Sequence, residues 1–260
     1  MSPPLDYRDV FWYKYFMNRL EYLVEFQKIL ADYHVSSAGK KILEEIELVL
    51  LVAPSGGGRN TVISELLKSG KYDFVVSDTT RLPRINNGSL EQSGREYWFR
   101  TEEEILQDLK DGKFLEAEVI HNQQVSGISI RELKKALTHS KIAITDIDIG
   151  GVQNIMAAKE DTLAIVVLPP SFDEWQRRIF TRGSIEPTEY KRRMHTARTI
   201  FTEALKHDYF SFVINHTIEQ TAKEIDAIAQ VKDIDAKEKL KAKQLIEQLL
   251  QEINASLEKI

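Results

Sequence analysis

The sequence predicts an α/β fold in which helices cover a mainly parallel sheet. Five short apolar runs have the length of buried strands, and they lie at residues 48–53, 74–76, 142–144, 163–168 and 210–214. A helical pattern follows most of these runs, and strands that alternate with helices along a chain usually build a parallel sheet. The first run leads directly into a glycine-rich turn and then a helix, which is a common connection in this class.

The composition indicates a globular protein and excludes several kinds of site. The chain has 260 residues, with 35 basic and 40 acidic side chains and no cysteine. Without cysteine, a disulfide framework, a cysteine-ligated zinc site and thiol chemistry are excluded. A net charge of −5 argues against a nucleic-acid partner, and apolar runs this short cannot span a membrane. We therefore expect a cytoplasmic protein of one large or two small domains, with no membrane or nucleic-acid partner.

The two ends of the chain differ from its centre. Residues 1–45 form a predicted helical extension that is rich in aromatic side chains. Residues 231–260 form a charged helix in which apolar residues recur at spacings of 4, 3, 4 and 3, namely Ile246, Leu250, Ile253, Leu257 and Ile260. This stripe is too short for a stable coiled coil, so we expect the helix to pack on its own chain. A homodimer formed through the terminal helices is the alternative.

The glycine-rich turn has the features of a phosphate loop. Residues 53–61 read Ala-Pro-Ser-Gly-Gly-Gly-Arg-Asn-Thr between the first apolar run and a helix. Such a turn aims several backbone N–H groups at one point, where the positive end of the helix dipole also favours an anion. The candidate phosphate ligands are Ser55, Gly56, Gly57, Gly58, Arg59, Asn60 and Thr61.

Two positions in the phosphate loop depart from the usual fingerprint, which has lysine followed by serine or threonine. Arg59 replaces the lysine, and its planar guanidinium favours a bidentate grip where an ammonium offers a compact charge. Asn60 replaces the hydroxyl residue, so it offers only an amide oxygen to a magnesium ion. We therefore predict that phosphate binding tolerates these changes better than turnover does.

A second group of residues has the composition of a grip for a small dianion. Arg81 and Arg84 lie in a loop stiffened by proline, and Ser77 and Tyr97 flank them in the sequence. Guanidinium groups hold a phosphate through charge-assisted hydrogen bonds, and hydroxyl groups add further contacts. Because this group follows the phosphate loop closely, we expect two phosphorylated substrates in one cleft.

Taken in order along the chain, these motifs resemble the guanylate kinase family. The likeness covers residues 46–230 and includes Ser-x-Thr-Thr-Arg-x-Pro-Arg from Ser77, Gly-x-x-Tyr-x-Phe from Gly94, Phe-Leu-Glu at 114–116 and Asp-Ile-Asp at 146–148. The resemblance implies a P-loop nucleoside-monophosphate-kinase fold with helices on both faces of the sheet. It further implies an inserted subdomain for the monophosphate at about residues 78–130 and a lid at about residues 172–198.

The resemblance also implies the reaction, which is transfer of a phosphoryl group from ATP to GMP with Mg²⁺, giving ADP and GDP. The residues that match a grip on the GMP phosphate are Ser77, Arg81, Arg84 and Tyr97. Glu116 and Asp148 match the carboxylates that read guanine, whose adjacent N1–H and 2-amino donors suit carboxylate acceptors. The residues that match the ATP side are Arg59, the lid arginines Arg178, Arg182 and Arg193, and Asn215 on the last predicted strand.

The same resemblance contains departures, and it leaves a rival interpretation open. Ser126 stands where the family has a tyrosine, and Ile128 stands where it has a hydroxyl that helps to read the base. The loop at residues 85–93 is also longer than in the family. The rival is a guanylate-kinase-like module that binds a nucleotide, phosphopeptide or protein without turnover, because such modules often replace the loop lysine. The basic lid favours the enzyme, since its arginines have a use only when a donor phosphate is present.

Overall fold

The computed structural model describes residues 19–86, 88–181, 185–231 and 235–259. The predicted lid residue Arg182 lies outside the described residues, as does Ile260 at the end of the predicted C-terminal stripe. The chain divides into two compact units. The first unit combines the chain up to Gly39 with Val76–Arg131, and the second combines Lys40–Val75 with Glu132–Ile260.

Helices and strands alternate along the described parts of the chain. The helices there are α1 (Leu23–Ala31), α2 (Ser37–Glu45), α3 (Arg59–Leu67), α4 (Glu102–Lys110), α5 (Ile130–Thr138), α6 (Ile149–Ala158), α7 (Phe172–Phe180), α8 (Pro187–Lys206), α9 (Ile218–Val231) and α10 (Ala236–Leu257). The strands are β1 (Leu48–Val52), β2 (Tyr72–Phe74), β3 (Asp78–Thr79), β4 (Ile85–Asn86), β5 (Ser89–Leu90), β6 (Trp98–Phe99), β7 (Phe114–Ile120), β8 (Gln124–Ser129), β9 (Ile142–Asp146), β10 (Leu163–Leu168) and β11 (Phe210–Ile214). None of the helices in these described ranges is long and apolar enough to cross a membrane.

The second unit is built on a five-stranded parallel sheet with the strand order β11-β10-β1-β9-β2. Each of the five predicted runs overlaps a strand of this sheet, although β2 begins and ends two residues before the predicted run at 74–76. The predicted α/β class is confirmed. Strand β1 contains only leucine and valine and is buried along its whole length, as expected for the central strand of a sheet covered on both faces. Helices α3 and α9 pack on this sheet around Val62, Leu66 and Ile225.

Helix α10 packs inside the second unit, on helix α8 and strand β11. Its buried residues are Ala242, Ile246, Leu249 and Ile253. The predicted stripe contained Leu250 in place of Leu249. Each residue of an α-helix turns by about 100°, so Leu249 continues the row from Ile246, whereas Leu250 lies at the margin of the row and is half-buried. The helix therefore uses its apolar face within its own chain.

The first unit contains a mixed four-stranded sheet with the strand order β6-β3-β8-β7, and a short hairpin formed by β4 and β5. Helices α1 and α4 pack against strands β7 and β8, with Phe26, Leu109 and Val125 in the core. Tyr33 Oη donates a hydrogen bond to the carbonyl oxygen of Phe114 at 2.9 Å. Residues 19–39 from the predicted N-terminal extension therefore complete the core of this unit.

Strand β3 of the first unit also carries a fully buried carboxylate. Asp78 accepts hydrogen bonds from Arg100 Nη1 at 3.0 Å and from Arg131 Nη2 at 3.2 Å. Burial raises the pKa of Asp78, and the positive charges of Arg131 and Arg100 oppose this shift. Successive side chains of a strand point to opposite faces of the sheet. The contacts of Asp78 with Arg100 and Arg131 therefore lie on the face opposite to that of Thr79.

Candidate functional site

The phosphate loop joins strand β1 to helix α3 in the second unit. Its turn is closed by a hydrogen bond from Gly57 N to the Pro54 carbonyl at 2.8 Å. Gly58 precedes the helix with a φ of 92°, a left-handed conformation that favours glycine. A Cβ atom at this position would also overlap Asn215 Nδ2. The loop thus brings the N-terminus of α3, with its unpaired backbone N–H groups, next to a tight backbone turn that suits an anion.

Buried side chains from helix α7 and from the segment after β11 hold the loop in place. Asn215 Nδ2 donates to the Gly57 carbonyl at 2.8 Å, and Thr221 Oγ1 donates to Asn215 Oδ1 at 3.1 Å. Trp175 Nε1 donates to the Ser55 carbonyl at 2.8 Å. Trp175, Asn215 and Thr221 are all buried. The protein interior therefore holds the loop through the carbonyl groups of Ser55 and Gly57.

A cleft of about 370 Å³ opens beside the loop within the second unit, and its lining includes Gly56, Gly58, Thr61, Arg178, Asn215 and His216. Arg178 Nη2 donates to the Asn215 carbonyl at 3.0 Å, and Arg178 Nε donates to Glu174 at 2.8 Å. Hydrogen bonds from Arg177 and Arg178 lower the pKa of Glu174 to about 2, so this carboxylate stays ionised. The predicted ATP-side residues Arg178 and Asn215 therefore meet at one wall of the cleft.

Arg193 is the other predicted lid arginine among the described residues, and it lies on helix α8. Arg193 Nε donates to Glu189 Oε1 at 2.7 Å, one turn earlier on the same helix. Desolvation raises the pKa of Glu189, but hydrogen bonds from Arg193 and Arg192 outweigh it and lower the pKa overall. Arg193 is thus held along its own helix by an ionised partner.

Arg59, the first residue of α3, points to the end of the neighbouring strand β9. Its Nη2 donates to Asp146 Oδ2 at 2.6 Å, and its Nη1 donates to the Ile147 carbonyl at 3.2 Å. The pairing of Leu51 with Asp146 brings the carboxyl ends of β1 and β9 side by side, which allows this contact. The side chains of Arg59 and Asp146 are 25% and 21% exposed.

The other loop and strand-end candidates have separate positions. Asn60 is exposed on the first turn of α3, whereas Thr61 lines the cleft. Asp148 caps helix α6, because its Oδ1 accepts a hydrogen bond from Gly151 N at 2.8 Å. Among the described residues, no group of three or more histidine, aspartate or glutamate side chains is arranged to hold a metal ion.

The arginine loop, residues 81–97 of the first unit, is organised around a buried carboxylate. Arg81 forms two parallel hydrogen bonds to Glu91, at 2.6 and 3.0 Å. The guanidinium carbon of Arg81 also lies 4.6 Å from the ring centre of Tyr97 and 5.5 Å from that of Phe99. The Arg81 and Glu91 side chains are 11% and 5% exposed, so this pair is less accessible to solvent than the Arg59–Asp146 pair.

Glu91 also fixes the backbone at the second predicted arginine. Its Oε2 accepts a hydrogen bond from Arg84 N at 2.9 Å, and Glu91 N donates to the Arg84 carbonyl at 2.9 Å. Between Arg84 and Glu91, strands β4 and β5 pair in antiparallel fashion, with Ile85 opposite Leu90. The Arg84 side chain is exposed beside this fixed backbone.

One face of the four-stranded sheet collects the remaining candidates of the first unit. Strand pairing places Thr79 beside Ser126, with 2.8 Å between the two hydroxyl oxygens, and Glu116 beside Ile128. Tyr97 and Phe99 share this side, with ring centres 6.1 Å apart. Alternation along the chain puts Ser77 on the same side as Thr79. Ser77, Tyr97 and Glu116 are thus brought to one face, and Glu116 is buried there.

Comparison with known proteins identifies the family. The family model described as "Guanylate kinase" matches residues 45–232, which is most of the chain. The chain belongs to the guanylate kinase family. The protein named "Guanylate kinase" from Clostridium perfringens (strain SM101 / Type A) is 35% identical over 183 residues, which cover 70% of this chain and 81% of that protein. The one from Schizosaccharomyces pombe is 31% identical over 74% of this chain and 95% of that protein.

Further proteins named guanylate kinase match a similar part of the chain. "Guanylate kinase 1" from Arabidopsis thaliana is 31% identical over 72% of this chain, and the match spans 49% of that longer protein. This chain therefore spans about half the length of the plant guanylate kinases it matches. The crystal structure of guanylate kinase from Anaplasma phagocytophilum has a TM-score of 0.55 at 23% identity, and the match covers 74% of this chain and 88% of that one. That likeness supports the guanylate kinase fold.

Two carboxylates of this guanylate kinase relative were not among the predicted site residues. Glu91 is the buried partner of Arg81, and Asp146 is the partner of Arg59. Sequence signals existed for both, since Glu91 stands three residues before Gly94 and Asp146 opens the Asp-Ile-Asp motif. Neither signal says that the carboxylate faces an arginine of its own unit, because that depends on strand pairing and loop closure.

Proposed function

We propose that this chain is an ATP-dependent GMP kinase. The observation that carries the proposal is the face of the small sheet on which Tyr97, with Arg81 stacked on it, lies with the buried Glu116. Arginine and tyrosine form a grip for a phosphate, and a carboxylate accepts hydrogen bonds from two adjacent donors. GMP carries both features, namely a phosphate and a base with adjacent donors. Membership of the guanylate kinase family supports the same substrate.

In this proposal the first unit binds GMP. Ser77, Arg81, Arg84 and Tyr97 hold its phosphate, and Glu116 accepts hydrogen bonds from guanine. Glu91 keeps the Arg81 guanidinium in a fixed plane, since a bidentate carboxylate restricts rotation of the fork. Asp148 in the second unit, already turned toward the N-terminus of α6, is the second carboxylate that the family resemblance assigns to guanine.

The second unit binds ATP in this proposal. The backbone of Ser55, Gly56, Gly57 and Gly58, with Arg59, Asn60 and Thr61 at the start of α3, surrounds the phosphates. Asn215 sets the position of the loop, and Arg178, Arg182 and Arg193 contribute positive charge that favours the transition state. An oxygen of the GMP phosphate forms a bond to the γ-phosphorus, and the bond from that phosphorus to the β-bridging oxygen breaks. ADP and GDP are the products.

Magnesium accompanies ATP in reactions of this class, where it neutralises phosphate charge. The residues present do not fit a magnesium ion held by this chain. Asn60 replaces the hydroxyl ligand of the loop, and the Asp146 carboxylate beside the loop is hydrogen-bonded to Arg59. We therefore assign no step of the reaction to a protein-held metal ion.

An assay of ADP release tests the proposal. The purified chain is incubated with ATP and magnesium chloride, and with GMP, dGMP, AMP, CMP or UMP in turn. We expect turnover that is selective for GMP and dGMP. Direct titration of each monophosphate, without ATP, measures binding separately from turnover.

The rival interpretation makes a different prediction in the same experiment. A binding module without turnover binds GMP but releases no ADP with any acceptor. That result would replace the kinase by a nucleotide-binding module. Absence of both GMP binding and turnover would contradict the assignment of the first unit to a nucleoside monophosphate.

A further inference from the structure

The Arg59–Asp146 pair joins the phosphate loop to the end of a neighbouring strand. Arg59 stands where loops of this kind have lysine, and it donates to Asp146 Oδ2 at 2.6 Å and to the Ile147 carbonyl at 3.2 Å. A guanidinium has five N–H groups in one plane, so the remaining groups of Arg59 stay available to another acceptor. The Arg59 side chain is 25% exposed, so solvent reaches part of it.

An acidic residue near a phosphate loop has two different uses. In many P-loop proteins such a carboxylate helps to hold a magnesium ion against the nucleotide phosphates, together with a loop hydroxyl. Here Asn60 replaces that hydroxyl, and the carboxylate of Asp146 already accepts a charge-assisted hydrogen bond. A metal ion bound to this carboxylate would share it with the Arg59 guanidinium, and the two positive charges would repel each other.

We propose that Asp146 is the counter-ion of Arg59 and competes with the donor phosphates for its guanidinium. This inference rests on the proposed function, because it takes the ATP phosphates as the competing ligand. The carboxylate and the phosphates are anions that make the same kind of fork contact with arginine. Each hydrogen bond that Arg59 keeps to Asp146 is therefore unavailable to ATP. Asp146 sets the affinity for ATP by holding Arg59, and it acts through another residue, so it is a positioning residue.

The two possible roles of Asp146 predict opposite changes in ATP affinity for one substitution. Asp146→Asn removes the negative charge and keeps the size and an amide oxygen. If Asp146 competes for Arg59, the substitution frees the guanidinium and tightens ATP binding by about tenfold, or about 1.4 kcal/mol. If Asp146 is a ligand of magnesium, the substitution weakens ATP binding when magnesium is present.

Calorimetric titration of the full chain with ATP distinguishes the two. Wild type, Asp146→Asn, Arg59→Gln and the double variant are each titrated with magnesium chloride and with EDTA. We expect Asp146→Asn to bind ATP more tightly in both buffers and the gain to vanish when Arg59 is also Gln. Asp161→Asn, which removes an exposed carboxylate outside the proposed site, is the matched control and should leave ATP affinity unchanged.

Three outcomes overturn the inference. They are weaker ATP binding by Asp146→Asn in magnesium only, no change in either buffer, or a gain that persists in the Arg59→Gln background. Thermal unfolding of each variant shows whether the fold is kept. In all three of these outcomes wild type still binds ATP, so the donor half of the proposed function stands. If wild type binds no ATP in either buffer, the donor half of the proposed function fails together with this inference.

Discussion

The arginine loop and the phosphate loop each pair an arginine with a carboxylate, but the two pairs differ in solvent exposure. Arg81 and Glu91 are 11% and 5% exposed, and two hydrogen bonds join them. Arg59 and Asp146 are 25% and 21% exposed, and one hydrogen bond joins their side chains. A buried pair is costly to break on one side only, whereas a partly hydrated pair can exchange partners. The first arrangement therefore fixes an arginine, and the second leaves one open to competition.

Truncating each arginine tests this difference, and the effect should be largest at Arg81. Arg81→Ala removes the charged partner of the buried Glu91 carboxylate, so we expect a loss of about 3 kcal/mol in the free energy of unfolding. We also expect GMP affinity to fall more than about 100-fold, or about 2.7 kcal/mol. Arg59→Ala leaves Asp146 where water can reach it, so the stability loss should stay below about 1 kcal/mol. Urea unfolding and GMP titration measure the two effects.

Arg84→Ala separates binding from stability in the same loop. The Arg84 backbone N–H, which bonds Glu91, is kept in this variant, and the side chain is exposed. GMP affinity should therefore fall by more than about tenfold while the midpoint of urea unfolding stays near that of wild type. Equal stability losses for Arg81→Ala and Arg59→Ala would contradict the comparison between the two pairs.

The phosphate loop depends on backbone geometry more than on a single side chain, and Gly58→Ala tests this. Gly58 and Gly70 both have left-handed φ angles, at 92° and 73°. A Cβ at Gly58 meets Asn215 Nδ2, whereas a Cβ at Gly70 has no atom within 4 Å. Both substitutions carry backbone strain of about 1 kcal/mol. Only Gly58→Ala also disturbs the bond from Asn215 to Gly57, which adds about 1 to 3 kcal/mol.

ATP titration and urea unfolding of the two glycine variants check this prediction. We expect Gly58→Ala to lower ATP affinity by more than about tenfold and Gly70→Ala to leave it unchanged. GMP affinity should stay the same in both variants, because the arginine loop belongs to the other unit. A loss of ATP affinity in Gly70→Ala as large as in Gly58→Ala would show that backbone strain beside α3, rather than the contact with Asn215, is responsible.

The same comparison shows what the sequence predicts and what it leaves open. The parallel sheet was predictable because β1, β9, β10 and β11 are mostly apolar, as buried parallel strands are. Strand β2 contains Asp73 and begins two residues before the predicted run. The small sheet of the first unit was harder, since β3 and β6 have only two residues each and β3 contains Asp78, a residue type that is depleted in strands. Their pairing is fixed by neighbours distant in the sequence, such as Gly127 beside Asp78.

The candidate site likewise has features that the sequence predicts and features that it does not. The sequence predicts which side chains are available for phosphates, because glycine-rich turns and paired arginines are local patterns. It does not predict their partners, since Glu91 and Asp146 reach their arginines only after a hairpin closes or two strands align. The C-terminal helix shows the same limit on a smaller scale, because its apolar stripe was predictable but the choice of Leu249 over Leu250 depends on its docking.

Recognition of the base can be tested separately, and we expect an intermediate effect on nucleotide affinity. Glu116 is buried on strand β7, and Glu118 lies two residues further along the same face and is exposed. Glu116→Gln replaces one acceptor oxygen by an amide donor, which opposes the adjacent donors of guanine. We expect the ratio of GMP to AMP affinity to fall by about tenfold, or about 1.4 kcal/mol, and Glu118→Gln to leave it unchanged. An equal loss of affinity for GMP and AMP would remove Glu116 from base recognition.

The smallest expected effect concerns acid stability of the arginine loop. Hydrogen bonds from Arg81 lower the pKa of Glu91 below its ordinary value of 4.5, burial opposes them, and the backbone N–H of Arg84 adds to the lowering. A carboxyl whose pKa is lower in the folded state stabilises the fold above its unfolded pKa, and this contribution is lost as the pH falls through the folded pKa. Glu91→Gln cannot titrate, so it lacks this contribution at every pH.

Urea unfolding of wild type and Glu91→Gln between pH 7 and pH 3 measures that contribution. At pH 7 we expect Glu91→Gln to be less stable by about 1 kcal/mol, because the charged Arg81 then faces an uncharged amide in place of a carboxylate. The difference should shrink as the pH falls below about 4.5, because Glu91 then takes up a proton in the unfolded chain before it does so in the folded protein. The matched control is Glu103→Gln, which changes an exposed glutamate in the first turn of α4. A gap between wild type and Glu91→Gln that stays constant down to pH 3 would mean that Arg81 is held by packing on Tyr97 and Phe99 rather than by the charge of Glu91.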